Sequence, residues 1–100
     1  MEIKILEQNN EKVVVLNGRL DTMTSSNMEM AVSRIWAEPG ITLVFDCTGL
    51  EYVSSSGLRV ILSAQKQVAA HGSKLILRHL SKDVLSVLEL TGFAKILTIE

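Results

Sequence analysis

The sequence predicts an α/β domain: a mixed β-sheet with helices packed on it, in the order β-β-α-β-α-β-α-β. Three observations lead there. Short apolar runs rich in β-branched residues recur along the chain. Between them lie stretches whose apolar residues repeat at helical spacing. Each such stretch follows a Ser, Thr or Asp and runs out at a glycine, the usual start and stop signals of a helix.

Ile3 and Ile5 alternate with Glu2 and Lys4, and Val13–Leu16 is a second strand. The polar Glu7–Glu11 between them reads as a hairpin connection. Beyond Asn17-Gly18, the residues Met28, Ala31, Val32, Ile35 and Trp36 fall on one helical face, behind Thr22, Thr24, Ser25 and Ser26. Either Ser26, paired with Glu29 in a capping box, or Thr24 can start this helix. Pro39-Gly40 is expected to stop it, since proline brings no amide donor. Met28 and Trp36 belong to the buried stripe, whereas Met23 and Met30 fall off it.

Ile41–Cys47 is almost continuously apolar, as a central strand covered on both faces should be, and Thr48-Gly49 bounds it. The next helix carries Leu58, Ile61, Leu62, Gln65, Val68 and Ala69 on one face, with Arg59, Ser63, Lys66 and Ala70 opposite. Gly72 suits its left-handed end. Lys74–Arg78 is a strand that completes a right-handed parallel crossover. Ser81 caps a last helix through Val84, Leu85 and Leu88, with Asp83 in its first turn. Gly92 closes that helix, and Ile96–Ile99 supplies a final strand. No linker or repeat intervenes, so residues 1–100 are expected to be a single domain.

A chain of 100 residues, 47% of them hydrophobic, can bury one core without disulfides or metal. No apolar run approaches the ~20 residues that span a bilayer. The start, Met-Glu-Ile-Lys-Ile-Leu-Glu, lacks the basic and apolar regions of a secretory signal, so a cytoplasmic protein is expected. The lone Cys47, close to Val44 and Phe45, reads as a small buried hydrophobe. With a net charge of -1 and interspersed signs, nothing marks a surface for nucleic acid or an anionic membrane.

The most informative stretch is Asp46-Cys47-Thr48-Gly49-Leu50-Glu51-Tyr52-Val53-Ser54-Ser55-Ser56-Gly57-Leu58-Arg59. Three serines at a helix start set hydroxyls beside unpaired backbone amides. One serine serves as cap. That leaves two unexplained, along with Gly57, which costs roughly 1 kcal/mol inside a helix unless a close approach requires it. A helix start also tolerates phosphate, because its amides and dipole favour negative charge. Two like charges ~4 Å apart at an effective dielectric near 20 repel by about 4 kcal/mol, roughly a thousandfold in affinity. A phosphorylated serine there would expel a docked partner without refolding.

The stretch Tyr52–Arg59, with Gly18-Arg19-Leu20-Asp21, the Asp46–Leu50 segment and Thr91-Gly92-Phe93, resembles the STAS domain, specifically the bacterial anti-sigma factor antagonists. The similarity covers essentially the whole chain. It implies partner switching: the unphosphorylated antagonist binds an anti-sigma factor that is also a serine kinase, which frees a sigma factor. Phosphorylation reverses this, and a PP2C-type phosphatase restores it. In that family the modified serine is the first of an Asp-Ser-Ser/Thr-Gly-Leu motif, which falls on Ser55. Ser54 stands where an acidic residue is usual. The resemblance implies a partner surface of Asp21, Thr22, Ser54, Ser55, Ser56, Gly57 and Arg59 on a monomer or weak dimer, without direct nucleic-acid contact or membrane insertion. Asp21 and Asp46 are expected to line the same surface, the alternative on turn chemistry being a turn-former and a strand-end cap.

Two other readings differ in class. A STAS scaffold in a membrane lipid- or anion-transport complex would need no phosphorylation. A serine hydrolase would use one serine as nucleophile, but no glycine precedes the run as Gly-x-Ser-x-Gly requires. His71 and His79 read as a helix-end dipole partner and a surface loop residue. No metal or cofactor is expected, since zinc-ligand spacing and a glycine-rich phosphate loop are absent from the sequence.

Overall fold

The computed structural model describes residues 1–35 and 39–100. Strand β1 (Glu2–Gln8) returns as β2 (Glu11–Leu20) in an antiparallel hairpin that matches Ile3 to Leu16 and Ile5 to Val14. The turn is tighter than the polar run suggests. It consists of Asn9 and Asn10, with Asn9 at φ 54°, a left-handed conformation that asparagine accepts readily. Helix α1 (Thr22–Ser33), strand β3 (Thr42–Val53), helix α2 (Ser55–Ala70), strand β4 (Lys74–Arg78), helix α3 (Lys82–Leu90) and strand β5 (Thr98–Ile99) follow. The five strands lie in the order β1-β2-β3-β4-β5, and every pair after the first is parallel.

Register explains the core. Val14, Phe45 and Leu77 stand side by side across three strands, and Leu43 faces Leu75. These residues form one buried cluster with Met28 and Val32 of α1, Ile61, Ala64 and Val68 of α2, and Val84 and Leu88 of α3. Val60 and Ala64 are buried while Ala69 is exposed, so the inner face of α2 is rotated from the expected one. Ile5, on the sheet edge, remains 45% exposed although it alternates as a core residue should. Among the described residues no helix is long and apolar enough to cross a membrane.

Several boundaries differ from expectation, that of β2 among them, since it runs past Asn17-Gly18 to Leu20. Helix α1 starts at Asp21, not at Thr24 or Ser26, because the carboxylate accepts from the Met23 and Thr24 amides at 3.0 and 3.1 Å. Thr24 completes a reciprocal box by accepting from the Asp21 amide at 2.9 Å. The same helix ends at Ser33, well before Pro39. There the Ser33 hydroxyl donates to the Met30 carbonyl at 3.1 Å, and the Arg34 amide that follows turns to the Val32 carbonyl. Trp36 lies outside the described residues.

Strand β3 runs through Thr48-Gly49 to Val53, since register shifts opposite β2 absorb the irregular step. Gly49 permits it: a Cβ there would sit 1.8 Å from Asn17 Oδ1. Asp46 therefore lies within the strand, not at its exit, and accepts from the Thr48 hydroxyl and amide at 2.6 and 3.1 Å. Finally, β5 is shorter than expected because the chain after Gly92, at φ 81°, first makes a 3-10 turn over Phe93–Lys95. The Ser81 cap and Gly72, at φ 72°, fall where expected.

Phe45 is fully buried at the centre of the sheet. Phe45→Ala should cost about 3–5 kcal/mol in urea unfolding. A loss below about 1 kcal/mol would show that the described core is not the one that folds.

Candidate functional site

The site is built where two strands end together. Leu20 closes β2 opposite Val53 at the end of β3, and both side chains turn into the core. Asp21 then opens α1 and Ser54 opens α2, so the two helix starts emerge side by side and the helices pack on each other. The Ser54 amide donates to the Leu20 carbonyl at 2.8 Å.

The serine run divides its tasks. Ser54 is the N-cap: its hydroxyl accepts from the Gly57 amide at 3.1 Å and its carbonyl from the Leu58 amide at 2.9 Å. Gly57, expected on the partner surface, is buried. A Cβ on it would lie 2.7 Å from Leu20 Cγ and 2.8 Å from the Leu20 carbonyl oxygen, so the residue is glycine to let the helix approach the strand end. Ser55 is exposed, and its hydroxyl makes no hydrogen bond among the described residues. Ser56 is half-buried and turns into a groove of about 350 Å³ between α1 and α2, with Thr22, Ser26, Glu29, Arg59 and Ser63.

Ser55 borders a different groove of about 240 Å³, walled by Leu58, Arg59, Leu62 and Phe93. This groove was not expected from the sequence. Arg59 was expected opposite Leu58 and Leu62, but the i, i+3, i+4, i+7 spacing of Ser55, Leu58, Arg59 and Leu62 places all four along one helical stripe. Nothing in the sequence said that Phe93, distant along the chain, would close the wall. Elsewhere on the surface Arg19 stacks over Tyr52, with its guanidinium carbon 4.1 Å from the ring centroid. Met23 and Met30 are exposed at 85% and 68%, while Met28 is buried, as their positions on the helix predict.

Asp21 is half-buried and committed to its cap. The Thr24 amide, its strongest partner, holds the carboxyl below its ordinary range. The Thr48 hydroxyl does the same for Asp46. Burial pushes the Cys47 thiol up to about 12, so it is inert as a nucleophile. His71 caps the far end of α2, its Nδ1 2.8 Å from the Gln67 carbonyl, about 24 Å along the helix from Ser55. It cannot serve that serine as a base. No group of metal-ligating side chains is present among the described residues.

The family model of the STAS domain matches residues 2–100. The chain belongs to the STAS domain family. An anti-sigma-B factor antagonist of Listeria monocytogenes is 29% identical over the whole chain and 89% of its own length. The anti-sigma-factor antagonist (STAS) domain protein of Planctomyces limnophilus superposes with a TM-score of 0.88 at 14% identity, covering 98% of this chain and 87% of that one. SpoIIAA of Bacillus matches at 18% identity in both its unphosphorylated form, with a TM-score of 0.77 over 99% and 87% of the two chains, and its phosphorylated form, at 0.76 over 99% and 91%. These structures share the fold of this chain.

Two measurements check the site. Gly57→Ala should lower stability by about 1–3 kcal/mol through the clash with Leu20, although alanine is the better helix former. A gain would show the glycine to be unconstrained. For Asp21 the folded carboxyl titrates below the ordinary value of 3.8, so its contribution is complete above that pH and fades as pH falls through the lowered value. The gap in unfolding midpoint between the natural protein and Asp21→Ala should hold from pH 7 to about 5 and narrow below about 4. A gap that widens in acid would contradict the cap.

Proposed function

We propose that this STAS domain is an anti-sigma factor antagonist that binds an anti-sigma factor while Ser55 is unphosphorylated, and so releases a sigma factor. The anti-sigma factor is also the serine kinase that modifies Ser55, and a PP2C-type phosphatase returns the protein to its binding form. The observation that carries this reading is the exposed Ser55 hydroxyl at the first position of α2, beside a neighbour that already holds the cap. Phosphate can join Ser55 without removing any described hydrogen bond. The helix dipole and first-turn amides favour its charge.

The docking surface is centred on Ser55. Thr22, Ser56 and Arg59 contribute side chains, whereas Asp21 and Ser54 contribute chiefly by fixing the two helix starts. Relatives named for anti-sigma factor antagonism support the reading. A phosphate on Ser55 faces whatever rests on this rim, and like-charge repulsion or lost packing ends the contact. The fold need not move.

Incubation with the cognate kinase and ATP should add one phosphate by intact mass to the natural protein and none to Ser55→Ala. Equal uptake by both would move the modification to another residue. Ser55→Asp should weaken kinase binding at least tenfold while its unfolding free energy stays within about 0.5 kcal/mol of the natural protein. A large loss of stability would assign Ser55 a structural role instead.

A further inference from the structure

We propose that Arg59 receives the phosphate once Ser55 is modified, so that phosphorylation withdraws a docking cation as well as adding negative charge. This rests on Ser55 being the phosphoacceptor. Arg59 follows Ser55 by four residues on α2, the spacing at which helical side chains meet. An acid preceding a base at this spacing is the favourable orientation. Both residues wall the groove that ends at Phe93, so they share one side of the helix. That groove is apolar where Leu58 and Leu62 line it, which favours a guanidinium lying along it with its stem on hydrocarbon.

Arg59 is uncommitted. It is exposed and holds no ion pair among the described residues. By contrast, Arg78 is paired with Glu100 at 3.1 Å and with Glu11 at 3.7 Å, and Arg19 lies on Tyr52. The charged groups facing Arg59 are few. Glu29 of α1 lines the polar groove together with Arg59 but forms no ion pair with it among the described residues, and Asp21 is tied to the amides of Met23 and Thr24. The 3-10 turn contributes Phe93 to the wall, while its Lys95 does not line it.

A phosphoserine carries nearly two negative charges and accepts the forked donors of arginine. In the unmodified protein the same guanidinium is available to a carboxylate of the partner. Phosphorylation therefore converts a free cation into an internal pair with net negative charge. The partner meets repulsion and loses its counter-charge in one event.

Phosphoserine placed at position 55 by genetic code expansion tests this without any kinase. A 31P NMR titration should find the second phosphate ionisation lower with Arg59 than in Arg59→Gln, by about a few tenths of a unit. Arg59→Lys should restore part of that difference, and about 1 M salt should close it. Identical titration curves in all three proteins would overturn the internal pair. Unmodified Arg59→Gln should bind the anti-sigma partner several-fold more weakly, and unchanged affinity would overturn the docking role. Kinase treatment that leaves Ser55 unmodified would overturn the functional reading and not the ion pair, so the two failures are distinguishable.

Discussion

The hydrogen bond from the Ser54 amide to the Leu20 carbonyl fixes where α2 begins, and the functional surface depends on that point. It joins the end of β2 to the exit of β3 and brings the second helix hard against a strand terminus. Contact this close leaves no room for a Cβ at Gly57. It also leaves Ser54 to satisfy the Gly57 amide, an obligation every helix start must meet in some way. With packing settled by Gly57 and capping by Ser54, the first residue of the helix, Ser55, is free of structural duty. A hydroxyl without duty is one that a kinase can change at small cost to folding.

The same geometry separates two chemistries around one helix start. Toward α1 the surface is polar, with the hydroxyls of Thr22, Ser26, Ser56 and Ser63 near Glu29. Toward the 3-10 turn it is apolar, with Leu58, Leu62 and Phe93. Arg59 stands on the ridge and belongs to both grooves. A partner seated over Ser55 would find hydrocarbon for burial on one side and donors for orientation on the other, the usual division within a protein interface. Phosphate placed on the ridge alters the electrostatics of both sides together.

Much of this was legible in the sequence, for physical reasons that can be named. Helix and strand order followed from periodicity, because Val68 and Leu88 had to face a core whichever strands supplied it. Ser81, Gly72 and Gly92 marked their boundaries because caps and left-handed turns are satisfied within a few residues. Asp21 was harder to place. A carboxylate cap preceded several hydroxyls of similar local fitness, and the reciprocal bond with Thr24 decided among them. The length of β3 was not legible, since Thr48-Gly49 reads as a turn until β2 lies alongside and absorbs the register shifts. Gly57 announced a close approach without naming its neighbour. The apolar groove beside Ser55 was half written in the spacing of α2, but its other wall, Phe93, arrives through tertiary packing alone.

On the proposed mechanism a dianion on Ser55 leaves the anchorage of α2 intact. Amide hydrogen exchange at Ser54 and Gly57, whose N–H groups bond to Leu20 and to the Ser54 hydroxyl, reports on that anchorage directly. Both amides should be equally protected in the unmodified protein and in protein carrying phosphoserine at position 55. Loss of protection at either amide on phosphorylation would mean that the switch works by loosening the helix start, contrary to the mechanism argued from this structure.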